Sequence, residues 1–235
     1  MPRIARVVIA DVAHHVTQRG NGRQFLLATD IERMVYLDML RRGVREHDLL
    51  VLGYCLMSNH VHLVVIPRRA EALSEVLRQV HGRYAAYWNG AHGGSGHAWQ
   101  GRFYSCPMDP GQQWVALRYA ELNPVRAGLV KEAVAWPWSS AGAHSGTVAP
   151  DTLLEMTRWR QTWGEVNWRQ FLAQGETESE LYALRRATWT GRPLGAEQFT
   201  RALEEQTHRR LTVGKPGRPR KAPGGTYDPA RAGKS

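Results

Sequence analysis

Hydrophobic and polar positions change period several times along this chain. Residues 49–57 and 61–66 are apolar runs that flank a short polar break at Ser58-Asn59, the pattern of two adjacent strands in an antiparallel hairpin. Strand side chains alternate between faces, so His60 and His62 share a face with Val64 and Ile66, while Val61, Leu63 and Val65 take the other. Apolar residues on both faces describe a strand covered on both sides. Residues 7–19 alternate as a short strand and stop at Gly20-Asn21-Gly22, a turn composition. Met34, Leu37, Leu40 and Val44 predict a helix over about 31–46 with Asp30 as its N-cap. Leu73, Val76, Leu77, Val80, Tyr84 and Tyr87 form the stripe of a second helix over 70–88.

Residues 98–108 read as a further strand carrying Trp99, Phe103 and Tyr104. Asp109, Pro110 and Gln112 are suited to the N-cap, first turn and capping-box positions of a helix that runs through Trp114, Leu117 and Tyr119. Pro124 disfavours a helical residue before it and should stop that helix at Asn123. Strand–helix–strand–strand–helix–strand followed by one helix is the order of an α+β, ferredoxin-like fold: a four-stranded antiparallel sheet with helices on one face. His60 and His62 would lie on the other face, beneath the last helix. Beyond it, Trp136-Pro137-Trp138 reads as a turn covering a sheet edge. Trp159, Trp163, Trp168 and Phe171 belong to a helical accessory region with two more helices over 177–188 and 196–206.

Charge changes the picture. The 235 residues carry a formal charge of +10 with a pI near 10.1, which points to an anionic polymer as partner. Residues 208–235 hold eight Lys or Arg against one Asp, so most of the excess lies in a tail expected to be largely disordered without DNA. Within it, Lys215-Pro216-Gly217-Arg218-Pro219-Arg220-Lys221 is either an AT-hook core entering a minor groove or a basic tail without sequence preference. Cys55 and Cys106 fit neither a zinc knot nor a disulfide framework. With no leader-like N-terminus and no membrane-length apolar stretch, a cytoplasmic location without membrane contact is expected.

Two imidazoles at i, i+2 on a strand stand roughly 7 Å apart, near enough to share a cation. The pair predicts a metal site without saying which chemistry it serves. Tyr119 and Asn123 are four apart and share a helix face. The Asn123 carbonyl suits a hard cation, Mg²⁺ or Mn²⁺, beside the histidines. The Tyr119 phenol can attack phosphorus, although a helical Tyr is more often packing. Arg19, Asn21 and Arg23 in the Gly-rich turn can wrap a phosphate or a base edge, or form only a turn.

His60-Val61-His62 resembles the signature of the HUH single-strand DNA nucleases. The segments from Tyr54 to Leu63 and from Arg118 to Ala127 (RYAELNPVRA), with HVTQRGN at His15–Asn21 and WQGRF at Trp99–Phe103, resemble REP-associated tyrosine transposases. So do the tail motifs GRPLG from Gly191 and GRPRK from Gly217. The resemblance implies His60, His62 and Asn123 as metal ligands and Tyr119 as a nucleophile that retains a 5′-phosphate. It also implies a single-stranded DNA hairpin as partner, with Arg102 and Arg126 joining the expected DNA contacts. Residues 1–130 would form the HUH-type catalytic domain, 131–207 the helical accessory region and 208–235 the basic tail. A monomer is the expected state, a dimer the alternative. The rival readings are a catalytically silent DNA-binding protein, an RNA-processing nuclease and a metallohydrolase that does not use Tyr119.

Overall fold

The structure, a computed structural model, describes residues 4–213. Lys215, Arg218, Arg220 and Lys221 lie outside the described residues. The chain runs β1 (Ala13–Arg19), α1 (Asp30–His47), β2 (Leu49–Leu56), β3 (His60–Pro67), α2 (Ala72–His92), β4 (Tyr104–Met108), α3 (Gln112–Glu121) and α4 (Asn123–Arg126). Five helices follow: α5 (Ala141–His144), α6 (Met156–Thr162), α7 (Glu165–Ala173), α8 (Glu178–Thr190) and α9 (Glu197–Thr207). The four strands form one antiparallel sheet in the order β2-β3-β1-β4. The hairpin and the ferredoxin-like arrangement expected from the sequence are both present.

Alternation assigns the two faces as the sequence pattern predicts. Val61, Leu63 and Val65 join Val16 and the apolar stripes of α1 and α2, with Tyr36, Leu40, Leu73, Val80 and Tyr84 buried there. Val64, Ile66, Cys106 and Met108 pack on the opposite face against Trp114 and Leu117 of α3. That face is covered, as the apolar residues on both faces of β3 predict, and not left open as helices on one face only would leave it. Trp159, Trp168, Leu184 and Ala187 of α6, α7 and α8 enter the same core. The accessory helices cover much of the sheet and leave the end bearing His60 and His62 as a recess. Gly53, beside a register shift in β2, lets α3 come close: a Cβ there would stand 2.1 Å from Leu117 Cδ1.

Several boundaries differ from expectation for local reasons. Thr29, not Asp30, caps α1; its hydroxyl accepts from Glu32 N while the Glu32 carboxylate accepts from Thr29 N at 2.7 Å, a full capping box. The first strand begins only at Ala13, since Asp11 at φ 60° turns the chain and Val7 and Ile9 pack instead with Leu203 and Leu211. Of residues 98–103 only Trp99 pairs, by an isolated bridge to Gly20, because Gly101 at φ 61° breaks the extended run. The helix carrying Tyr119 ends at Glu121, and Asn123 starts a second short helix. Pro124 sits in its first turn, where a missing N–H costs nothing. The segment with Trp136 and Trp138 runs along the outer edge of β2, where Leu56 N donates to Trp138 O at 2.8 Å. It covers that edge as expected.

Candidate active site

At the end of the sheet where β3 begins, His15, Arg19, His60, His62, Tyr119 and Asn123 line one cavity of about 430 Å³. Strand register explains the assembly. Thr17 pairs with His62 and Arg19 with His60 across β1 and β3, so alternate residues of both strands face the recess. The Tyr119 ring meets the edges of His15 and His62, with centroids at 5.6 and 5.4 Å. His60 and His62 rings stand 4.9 Å apart, close to perpendicular.

The imidazoles are oriented and neutral. His60 Nδ1 lies 2.6 Å from Asn59 Oδ1; an amide oxygen only accepts, so Nδ1 carries the proton and Nε2 keeps its lone pair. His62 Nδ1 lies 3.0 Å from His15 Nε2, and His15 Nδ1 lies 2.8 Å from Thr188 Oγ1. Burial pushes His60 down to about 4, helped by the positive charge of Arg19. Burial also lowers His15 to about 3 and His62 well below its usual value. A neutral imidazole held by a partner on its other nitrogen is what a metal ligand requires.

Asn123 lines the same cavity as His60, and its Nδ2 donates to Tyr119 O at 3.3 Å. Among the described residues, no group of three or more His, Cys, Asp or Glu is placed to hold a metal ion. The donors that converge are two imidazoles and one amide oxygen, a set that fits a hard divalent cation with solvent or phosphate completing its shell.

Two cations flank the phenol. Arg185 of α8 directs Nε to Tyr119 Oη at 3.5 Å. Arg126 stacks its guanidinium on the Tyr119 ring at 4.2 Å, donates to Tyr119 O at 3.1 Å and pairs with Glu176. Behind the tyrosine, buried Glu121 fastens α3 to its surroundings. Its Oε1 accepts from Ser140 Oγ and His144 Nδ1, both at 2.6 Å, and its Oε2 from Trp168 Nε1 at 2.9 Å. Arg118 pairs with Glu180 at 2.6 Å, tying α3 to α8.

The structure thus brings together His60, His62, Tyr119, Asn123, Arg19 and Arg126. Asn21 and Arg23 are exposed on the neighbouring turn, which is held by Gly20 N donating to Asn59 O at 2.8 Å. Arg102 is exposed and does not line the cavity. His15, Arg185, Thr188 and Trp189 line it without having been singled out from sequence. His15 was within reach, since it shares a strand face with Thr17 and Arg19. The three α8 residues share a helix face that points to the site only once α8 is placed on the sheet.

Residues 9–122 match the family model described as "Transposase IS200 like". A solved structure of a REP-associated tyrosine transposase bound to a REP hairpin aligns with a TM-score of 0.51 at 21% identity, covering 60% of this chain and 82% of its own. A candidate transposase from Deinococcus radiodurans R1 aligns at 15% identity over 54% of this chain and 97% of its own, with a TM-score of 0.36, too low to carry an argument. No curated protein matches the chain. The residues similar to the IS200-like transposase family, 9–122, span the sheet, Tyr119 and all but the last of the candidate ligands.

Proposed function

We propose that this protein is a metal-dependent single-stranded DNA endonuclease and strand transferase that acts on palindromic, REP-like hairpins through Tyr119. The observation that carries the reading is the convergence of the Tyr119 phenol on the His60–His62 pair within one chain, with Asn123 presented from the turn after the tyrosine.

In this reading the Tyr119 hydroxyl attacks phosphorus. The bond to O3′ breaks, the 3′-oxygen leaves and takes up a proton, and the 5′-phosphate stays on Tyr119. A second 3′-hydroxyl attacks that phosphotyrosine and displaces Tyr119, so the ends are rejoined without an added energy source. His60, His62 and Asn123 would hold Mg²⁺ or Mn²⁺, which supplies a Lewis acid for charge on a non-bridging phosphate oxygen. Arg185 sits where it stabilises negative charge on the phenol oxygen, and Arg126 fixes the ring from its face. Arg19 on the cavity, with Asn21, Arg23 and Arg102 on the nearby surface, supplies contacts to backbone and bases. Lys215, Arg218, Arg220 and Lys221 add phosphate contacts that weaken with salt. The family match and the likeness to a hairpin-bound transposase favour a hairpin substrate. A site complete in one chain favours a monomer.

The test is a denaturing gel of end-labelled hairpin DNA with single-stranded flanks, incubated with protein and Mn²⁺ or Mg²⁺. A protein-linked 5′ product that is absent with Tyr119→Phe is expected. Cleavage that survives in Tyr119→Phe would assign the attack to water, and tight binding without cleavage would leave a DNA-binding protein.

A further inference from the structure

Trp189 is the last large side chain of α8 and is 59% exposed. It stacks on Tyr104 of β4 with ring centroids 4.8 Å apart and planes 13° from parallel. Both rings line the cavity that holds Tyr119 and the histidines. Tyr104 faces the cavity because it pairs with Thr17 in the register that also aims His15 at the site. Trp189 is set in place by its neighbours: Thr188 bonds His15, and the Gly191 cap at φ 75° ends the helix directly behind it. The inner face of the indole is therefore occupied by Tyr104, while more than half of the side chain meets solvent. The charges near it are cationic, Arg19 and Arg185 on the same cavity wall.

An aromatic face open to water, fixed from behind and flanked by cations, matches what an unpaired nucleobase with its phosphate offers: a π surface and an adjacent negative charge. The cavity volume falls within the range of about 300–1,000 Å³ typical of small-ligand sites. We propose that Trp189, backed by Tyr104, is a platform on which one unpaired base beside the reacting phosphodiester stacks, an assignment that rests on the single-stranded DNA reading above. The base becomes the third layer of a Tyr104–Trp189–base stack. Stacking tolerates any base, so the platform sets the position of the strand relative to Tyr119 and leaves sequence choice to other contacts. It lies beyond the segment that matches the family model, so α8 contributes to the site as well as to the core.

The test is equilibrium binding, in chelator so that nothing is cleaved, of a fluorescein-labelled DNA hairpin with oligothymidylate flanks. Each flank nucleotide is replaced in turn by an abasic site, and wild type, Trp189→Ala and Trp189→Phe are compared. One abasic position should weaken wild-type binding roughly 5- to 100-fold. Trp189→Ala should lose about as much on the intact flank and lose nothing more at that one position, and Trp189→Phe should keep most of the affinity. Wild-type affinity in Trp189→Ala, losses that add in full at every position, or no binding of the probe at all would overturn the platform. Coupling at Trp189 without any Tyr119-linked product in the cleavage assay would uphold the platform and sink the nuclease reading. A Tyr119-linked product without coupling would do the reverse.

Discussion

His15 Nε2 lies 3.0 Å from His62 Nδ1, and the two rings stack with planes 10° apart. His15 is thus the partner that fixes the orientation of His62, and Thr188 in turn fixes His15. Removing such a partner from a metal-binding imidazole commonly lowers affinity about 10- to 100-fold. His15→Ala should weaken Mn²⁺ binding by that amount in a calorimetric titration, and Thr188→Val should do so less. Unchanged Mn²⁺ affinity in His15→Ala would mean that His62 is oriented without its neighbour.

Arg185 acts on the tyrosine from a different element. Its side chain is exposed and its Nε contacts the phenol oxygen, so its loss should leave the fold intact. Removing one charge-stabilising donor of this kind costs about 100- to 1,000-fold in rate. Arg185→Ala should lower single-turnover cleavage by an amount of that order with little change in melting temperature, and Arg185→Lys should recover part of it. Equal cleavage rates in wild type and Arg185→Ala would remove Arg185 from the reaction.

Buried Glu121 accepts three hydrogen bonds from three separate parts of the chain. Glu121→Ala leaves Ser140, His144 and Trp168 without that acceptor, at a total cost of roughly 3–5 kcal/mol. Urea unfolding measures the loss directly. A change below about 1 kcal/mol would show that water or relaxation replaces the carboxylate.

Acid should destabilise the fold above the pH range where carboxylates titrate. Burial holds His14 down to about 4 and His81 down to about 3, against an ordinary value of 6.5. Their folded values lie below the unfolded ones, so the unfolded chain binds more protons. The stability they provide is complete above pH 6.5 and is lost as pH falls from there toward 3. Each such group contributes about 1.4 kcal/mol per pH unit within that window. His81 packs between Tyr36, at 3.1 Å from its Nε2, and the Trp99 ring. His81→Gln should reduce the slope of stability against pH by about one proton, and an unchanged slope would place the titration elsewhere.

The sheet and the family resemblance were legible because their information is local. Alternation in β3, the helical stripes and the short motifs around His60 and Tyr119 each fit inside one element. The candidate site was legible to the same extent: His60, His62, Tyr119 and Asn123, which line one cavity, lie in two such motifs. Residues whose roles depend on tertiary distance were not. Arg185 reaches Tyr119 across 66 positions, and Thr188 reaches His15 across 173. Nothing in the helical pattern of α8 marks those side chains, because their face is defined by the sheet they cover. That the accessory helices supply the cover of the second face was not legible for the same reason. The tryptophans of α6 and α7 announce a core of their own, and only packing reveals that they share the one beneath the sheet.

The most direct test of the account is mass spectrometry of the protein after reaction with a single-stranded hairpin DNA and Mn²⁺, followed by nuclease and protease digestion. A nucleotide adduct linked through a 5′-phosphate to the peptide containing Tyr119 is expected, with no adduct in Tyr119→Phe. Cleaved DNA with no adduct, or an adduct on another residue, would contradict it.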